Sequence, residues 1–394
     1  MTKSDDKRVP ALRFKGFTDE WEQRKLGDIA KTYSGGTPSV TNKNFYNNGY
    51  IPFIKSGEIG SSKTEQKINN DGLNNSSAKL VKTGTLLYAL YGATSGKAAI
   101  SPINGAINQA VLAIIPQTNV NRFIYEWLNK NKPRITEKYL QGGQGNLSAK
   151  IIKQINIFTT SKNEELKISD ILGIVEKIIS LQQRKLENYL LIKKKLSNIF
   201  FNDRIVNKND LLFEHRVKAN QIFISYSKKG FSHLPVLSAS QDKGMIFRKD
   251  ESKNILYTHD NLTNYKLVEP DNFVVHLRSF QAGFAYSDKT GIASPAYTIF
   301  KFKNNVAYNS VYWKEKFKSY NFIQLLKKIT YGVRDGRSIS FSDFLSLYLT
   351  FPDIKLQNKI GNVLSKLDTQ ISDQKEIIKK LENIKQFLLQ NMFI

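Results

Sequence analysis

Apolar side chains recur at alternating steps of four and three through residues 165–201, and again through 357–393. The first stretch steps through Ile168, Leu172, Val175, Ile179, Gln182, Leu186, Tyr189, Lys193, Leu196 and Phe200. The second steps through Ile360, Leu364, Leu367, Ile371, Gln374, Ile378, Leu381, Lys385, Leu388 and Met392. This is the heptad seam of a coiled coil. No proline interrupts either stretch, so each predicts one helix of roughly 55 Å at ~1.5 Å per residue. The two are copies of one pattern. A shift of 192 residues lays 167–201 on 359–393 without a gap, with 10 of 35 positions identical. Even the polar interruptions coincide, Gln182 with Gln374 and Lys193 with Lys385. Repeats of this kind are read first because they set the architecture.

The segments outside the helices have short β-rich runs instead. Residues 51–54, 86–90, 98–100 and 110–115 predict strands, and 121–131 predicts a helix. Residues 26–33 and 151–158 read as short helix or strand, and the Asn-rich 64–78 and Gly-rich 142–145 as loops. The second large segment keeps the same apolar framework. Pro52-Phe53-Ile54 corresponds to Pro235-Val236-Leu237, Leu80-Val81 to Leu267-Val268, and 86–90 to 273–277. Asn108-Gln109-Ala110 corresponds to Ser294-Pro295-Ala296, and Ile135-Thr136 to Ile329-Thr330. The expected boundaries are 1–163, 164–205, 206–354 and 355–394: domain, helix, domain, helix. The fold class is α+β, with two similar mixed α/β domains separated by two long helices that form an antiparallel coiled coil. Two such halves in one chain predict pseudo-two-fold symmetry. Antiparallel pairing would bring Gln182 near Gln374, where a buried polar pair would set the register.

Charge then narrows the partner. Lys and Arg number 59 against 34 Asp and Glu, a net +25. The excess lies in the two large segments, +12 and +8, and the helical segments are near neutral at +2 and +3. A polyanion is the natural partner, and nucleic acid the commonest one. The absence of cysteine removes disulfides and thiolate chemistry and suits a reducing cytoplasm. The polar first ten residues do not read as a signal peptide, and no apolar run is long enough to span a membrane.

Catalytic patterns are missing. The loop from Gly92 to Ala98 misses a phosphate-cradling motif twice, with three residues between Gly92 and Gly96 and Ala98 where a hydroxyl should hold magnesium. There is no Pro-Pro pair to build the Asn-Pro-Pro-aromatic motif of amino-methyltransferases. Glu65 with Lys67, and Asp242 with Glu251 and Lys253, read as solvated charges, not a nuclease site. The four histidines lack metal-ligand spacing. What remains is base reading by convergent Arg, Lys, Asn, Gln and hydroxyl side chains in loops. In the first segment the candidates are Ser34, Gly36, Thr37, Lys55, Ser56, Tyr91, Thr94, Lys97, Asn108, Gln109, Gln144 and Asn146. In the second they are Ser240, Gln241, Lys243, Arg278, Gln281, Tyr331, Arg334 and Arg337.

The chain resembles the DNA specificity subunits of type I restriction–modification enzymes. The resemblance lies in the opening from Val9-Pro10 through Arg13-Phe14, Gly16-Phe17 and Trp21 to Leu26-Gly27. It also lies in Ser34-Gly-Gly-Thr-Pro38 followed by Tyr50-Ile-Pro52, in the two helices, and in the ending Leu388-Leu-Gln-Asn-Met-Phe393. It implies a non-catalytic, cytoplasmic bacterial or archaeal subunit whose two target-recognition domains each read half of a bipartite site in double-stranded DNA. The helices would set the spacer and seat two methyltransferase subunits, with restriction and translocase subunits joining them. No cofactor would sit in this chain; S-adenosylmethionine, ATP and magnesium would belong to the partners. Ile199-Phe200-Phe201 departs from the Gln-x-Met-Phe ending of the second helix. From the residues alone, a stand-alone nuclease and a nonspecific nucleic-acid binder stay open as alternatives.

Overall fold

Two 39-residue helices, Lys162–Phe200 and Ile354–Met392, dominate the chain. The structure, a computed structural model, describes residues 8–140, 146–201, 215–240, 243–250, 259–275, 284–329 and 340–394. It divides into two units whose boundaries fall inside the long helices. One comprises 1–183 and 377–394, the other 184–376. Each unit therefore holds one large domain and a piece of both long helices. The later residue Lys193 of the first helix meets the earlier Asp368 of the second at 2.7 Å, and Glu176 meets Lys385 at 3.1 Å. The helices thus run antiparallel.

The two large domains follow one plan. Glu22–Lys25 pairs antiparallel with Asn156–Thr159 just before the first long helix; His215–Lys218 pairs likewise with Tyr348–Phe351 before the second. A one-turn helix follows the opening strand in each, Leu26–Ile29 and Ala219–Ile222. Next comes a four-stranded antiparallel sheet. Its order is Ala30–Ser34, Val111–Pro116, Leu86–Ala89, Ala98–Ile100 in the first unit. In the second it is Phe223–Tyr226, Thr298–Phe302, Phe273–Val275, Ala285–Tyr286. The second layer repeats as well. Phe53 pairs in parallel with Ala106, and Leu80 lies antiparallel to the same residue. Val236 bridges Ile292 in parallel, and Leu267 lies antiparallel to it. The correspondences of Phe53 with Val236, Leu80 with Leu267 and Leu86 with Phe273 are thus the same sheet positions in both units.

Chemistry fills the shared plan differently. The first core is mostly aliphatic around Trp21, Phe123, Leu86 and Leu112. The second is aromatic: Phe223 packs edge-on against Phe300 at 5.3 Å and against Trp313 at 5.3 Å. Aromatic pairs of this kind add to the area they bury.

Every described seam position is buried or half-buried. The seam is not a free-standing coiled coil. Ile168, Leu172, Val175 and Ile179 join Leu388 in the core of the first domain, and Leu381 packs against it. Ile360 and Leu364 join that of the second, and Leu196 packs against it. Leu186, Tyr189 and Leu367 are half-buried, and Ile371 and Ile378 buried. Gln374 is buried and Gln182 half-buried, each in its own unit.

The Asn-rich stretch 64–78 differs from the expected loop. It forms a strand, Lys67–Ile68, and a helix, Asn70–Asn74. The asparagine polarity caps backbone rather than meeting water alone. Asn69 accepts from Gly72 N at 2.9 Å and donates to Asn44 O at 2.7 Å, as N-cap residues do.

Leu172→Ala removes a fully buried seam residue, whereas Ile174→Ala trims a side chain that is 59% exposed. Denaturant unfolding should show a loss of about 2–5 kcal/mol for the first and less than about 0.5 kcal/mol for the second.

Candidate nucleic-acid interface

Five loops of the first domain meet at one edge of its sheets. The turn at residues 34–38 follows strand Ala30–Ser34 and is held from below. Gly35 N donates to Asn108 O at 3.2 Å, and Tyr46 Oη donates to Pro38 O at 2.7 Å. Burial pushes the Tyr46 phenol up, which keeps it a neutral donor. Thr37 Oγ1 lies 2.6 Å from Gln109 Oε1 and donates to it. Tyr91 Oη donates to Gln109 O at 2.6 Å, and Thr94 Oγ1 to Ser56 O at 3.0 Å. Leu147 N, next to Asn146, donates to Leu90 O at 2.9 Å. Ser34, Thr37, Lys55, Ser56, Tyr91, Thr94, Lys97, Asn108, Gln109 and Asn146 are therefore brought to one edge. Thr37, Lys97, Gln109 and Asn146 are exposed there.

Some of these residues shape the edge from inside it. Gly36 is buried, and a Cβ on it would stand 2.6 Å from the Ser77 Cβ. Asn108 uses its side-chain oxygen on Ala110 N at 3.1 Å. Glu58 pins the loop after Lys55 by accepting from Lys55 N and Glu65 N at 3.1 and 2.7 Å. Glu65 thereby takes a loop-closing place through its backbone. The anchor of the 92–97 turn is not evident from the sequence. Gly96, at φ +81°, lets this turn close onto the helix Lys132–Leu140. A Cβ there would meet Thr136 Cγ2 at 2.7 Å and Lys132 Cγ at 3.3 Å. The local signal is the φ > 0 demand of a Gly-rich turn; nothing local identifies the helix it meets.

In the second domain, Ser240 and Lys243 form the tip of the hairpin joining Leu237–Ser240 to Gly244–Phe247. Ser240 Oγ accepts from Lys243 N at 3.4 Å. Gly244, at φ +74°, brings the hairpin against Tyr286, whose carbonyl oxygen would lie 2.4 Å from a Cβ. Gln144, Gln241, Arg278, Gln281, Tyr331, Arg334 and Arg337 lie outside the described residues, as do Asp242, Glu251 and Lys253. Among the described residues no group of three or more His, Asp or Glu is placed to hold a metal ion. No helix among them is long and apolar enough to cross a membrane.

Residues 18–191 match the family described as the type I restriction modification DNA specificity domain. Over those residues the chain is similar to a type I restriction–modification DNA specificity domain. The match takes in the first domain's sheets, the polar edge and most of the first long helix. The chain is 28% identical over 202 residues to the EcoR124I/EcoR124II specificity subunit of Escherichia coli, covering 46% of this chain and 50% of that one. It is 23% identical over 403 residues to the MjaIX specificity subunit of Methanocaldococcus jannaschii, covering 94% and 92%. The chain spans about half the length of the first of these relatives. In fold it is similar to the S subunit of a type I restriction–modification system from M. genitalium, with a TM-score of 0.64, 16% identity and coverage of 98% and 99%. A second solved structure, from work on complex assembly of a type I system, gives a TM-score of 0.53 at 12% identity.

The edge of the specificity domain depends on close backbone approach at one glycine. Gly35→Ala would place a Cβ 1.7 Å from Ile107 O, whereas Gly57→Ala meets nothing within 4 Å. Thermal unfolding should show Gly35→Ala destabilised by about 1–3 kcal/mol and Gly57→Ala close to unchanged.

Proposed function

We propose that this chain is the non-catalytic DNA-reading subunit of a type I restriction–modification enzyme. Each large domain reads one half of a bipartite site in double-stranded DNA. The long helices set the spacer between the halves and seat two methyltransferase subunits, with restriction subunits joining the assembly. The observation that carries this reading is the repeated domain plan with unlike loops: one scaffold used twice, reading two different half-sites.

The polar edge supports a DNA contact. It offers hydroxyl, amide and ammonium groups on loops anchored to a sheet, as base readout on a rigid frame requires. Its loops are tied to one another by hydrogen bonds, so the edge is ordered before DNA arrives, which lowers the entropy cost of binding. The helices support a protein contact. In the first unit Ile174, Leu181, Ile377, Ile384 and Phe387 are exposed large apolar residues on the long helices, a surface suited to a partner protein. S-adenosylmethionine, ATP and magnesium are assigned to the partner subunits, and the cytoplasm to the whole assembly.

Exchanging residues 206–354 for the matching segment of another specificity subunit should change one half-site of the methylated motif and leave the other alone. Lys55→Ala and Lys97→Ala should each weaken DNA binding across sequences. Each should also reduce the slope of log K against log salt by about 0.9 for every phosphate no longer neutralised. Purified chain with magnesium and plasmid DNA should leave the DNA intact; cleavage without partners would favour the nuclease alternative.

A further inference from the structure

Each unit sets a charge cluster around one buried glutamate where three helices meet, and the two clusters correspond. In the first unit Glu126, on the helix Asn121–Lys130, is 1% exposed. It accepts from Arg122 at 3.0 Å. Arg122 also donates to Glu176 of the first long helix, and Glu176 accepts from Lys385 of the second at 3.1 Å. In the second unit Glu315, on the helix Ser310–Lys316, is 6% exposed. It lies 3.1 Å from Lys193 of the first long helix. Lys193 also reaches Asp368 of the second at 2.7 Å, with Lys314 3.7 Å from the same carboxylate. The repeat offset of 192 residues carries Glu176 onto Asp368 and Lys193 onto Lys385. Measured from their helix N-caps, Val120 and Asn309, Glu126 and Glu315 stand at the same helical position. The lysines thus occupy equivalent seam positions on opposite helices, and in each unit a domain glutamate meets the same kind of junction.

These charges are held by one another. Burial pushes the Glu126 carboxyl up, and Lys385 and Arg122 oppose that shift. Burial would pull Lys193 down, but Glu315 and Asp368 outweigh it and leave the ammonium raised. A seam filled with apolar residues of similar size would be about as stable, because buried ion pairs seldom repay their desolvation. What a charge adds is geometry. Sliding or rotating the domain on the helices would part Glu315 from Lys193 in one unit and Arg122 from Glu176 in the other, and the penalty is heaviest for the buried Glu315 carboxylate. An apolar contact would tolerate the same shift far better.

We propose that the two clusters are positioning devices that lock each recognition domain to one axial and rotational setting on the long-helix pair, so that the bipartite site has a single spacer length. This rests on the DNA-reading function proposed above. Lys193, Glu315 and Asp368 in one unit, and Lys385, Glu126 and Glu176 in the other, are positioning residues that act through the domain they orient.

The test uses the full chain with its methyltransferase and maps methylated adenines. Lys193→Met alone should lower the melting temperature by roughly 5–10 °C, since it takes the nearest cation from the buried Glu315 and leaves only the more distant Lys314. The triple variant Lys193→Met, Glu315→Leu, Asp368→Leu should recover the melting temperature, keep both half-sites and methylate sites with neighbouring spacer lengths that the native chain ignores. Lys193→Arg should keep the single spacer. Should that triple variant fail to fold, Arg122→Met, Lys385→Met, Glu126→Leu, Glu176→Leu, which also removes the arginine that both carboxylates hold, supplies the same test in the first unit. A stably folded triple variant that keeps one spacer would overturn the proposal, as would an unchanged melting temperature in Lys193→Met. A native chain that yields no two-part motif would instead refute the DNA-reading function itself.

Discussion

A lysine ammonium set into an apolar helix seam is tolerable only where carboxylates reach it. In this chain Lys193 meets carboxylates from two helices, and Lys385 meets one that an arginine links to a second. Lys193 bridges Asp368 of the opposite long helix and Glu315 of the domain. Lys385 meets Glu176, which shares Arg122 with Glu126. The apolar seam provides the free energy of association, through side chains such as Leu172 and Leu364 that are fully buried. The charges choose one arrangement among those the apolar surface would allow. Adhesion and registration are thus carried by different residues along the same helices.

The architecture follows from that division. Because each domain packs its core against the long helices, the helices act as part of both domains rather than as a tether. Trp21 shows the same economy at the start of the chain: it packs against Phe123 of the domain and Phe393 beyond the second long helix. A domain anchored in this way presents its loop edge in a fixed direction. The edge in turn is built from turns that lean on the sheet, with Gly35 and Gly36 against neighbouring backbone and Thr37 on Gln109. Direction and chemistry are therefore set by separate layers of contacts.

Much of this is legible in the chain because periodicity and repetition report burial directly. The seam positions, the two long helices and the matched sheet positions at Phe53 and Val236 can be read from the pattern of the chain. The loops of the first edge are also legible, since Gly, Ser, Asn and Pro clusters mark turns between apolar runs. What is not legible depends on contacts distant in sequence. Glu126 and Glu315 look like ordinary helix charges until the fold sets them against cations at the long helices. Lys193 and Lys385 register only as coinciding polar interruptions. The Asn-rich stretch looks like a loop because asparagine polarity does not say whether water or backbone will satisfy it; Asn69 bonds to backbone.

We propose that helix length, held in register by the charge clusters, sets the distance between two independent DNA readings. The most direct measurement inserts one heptad at matched places in both long helices, away from the charge clusters, and maps methylated adenines in a host carrying the altered chain and its methyltransferase. The same two half-sites, separated by a longer spacer of one defined length, are expected. An unchanged spacer, or a change in the bases of either half-site, would contradict it.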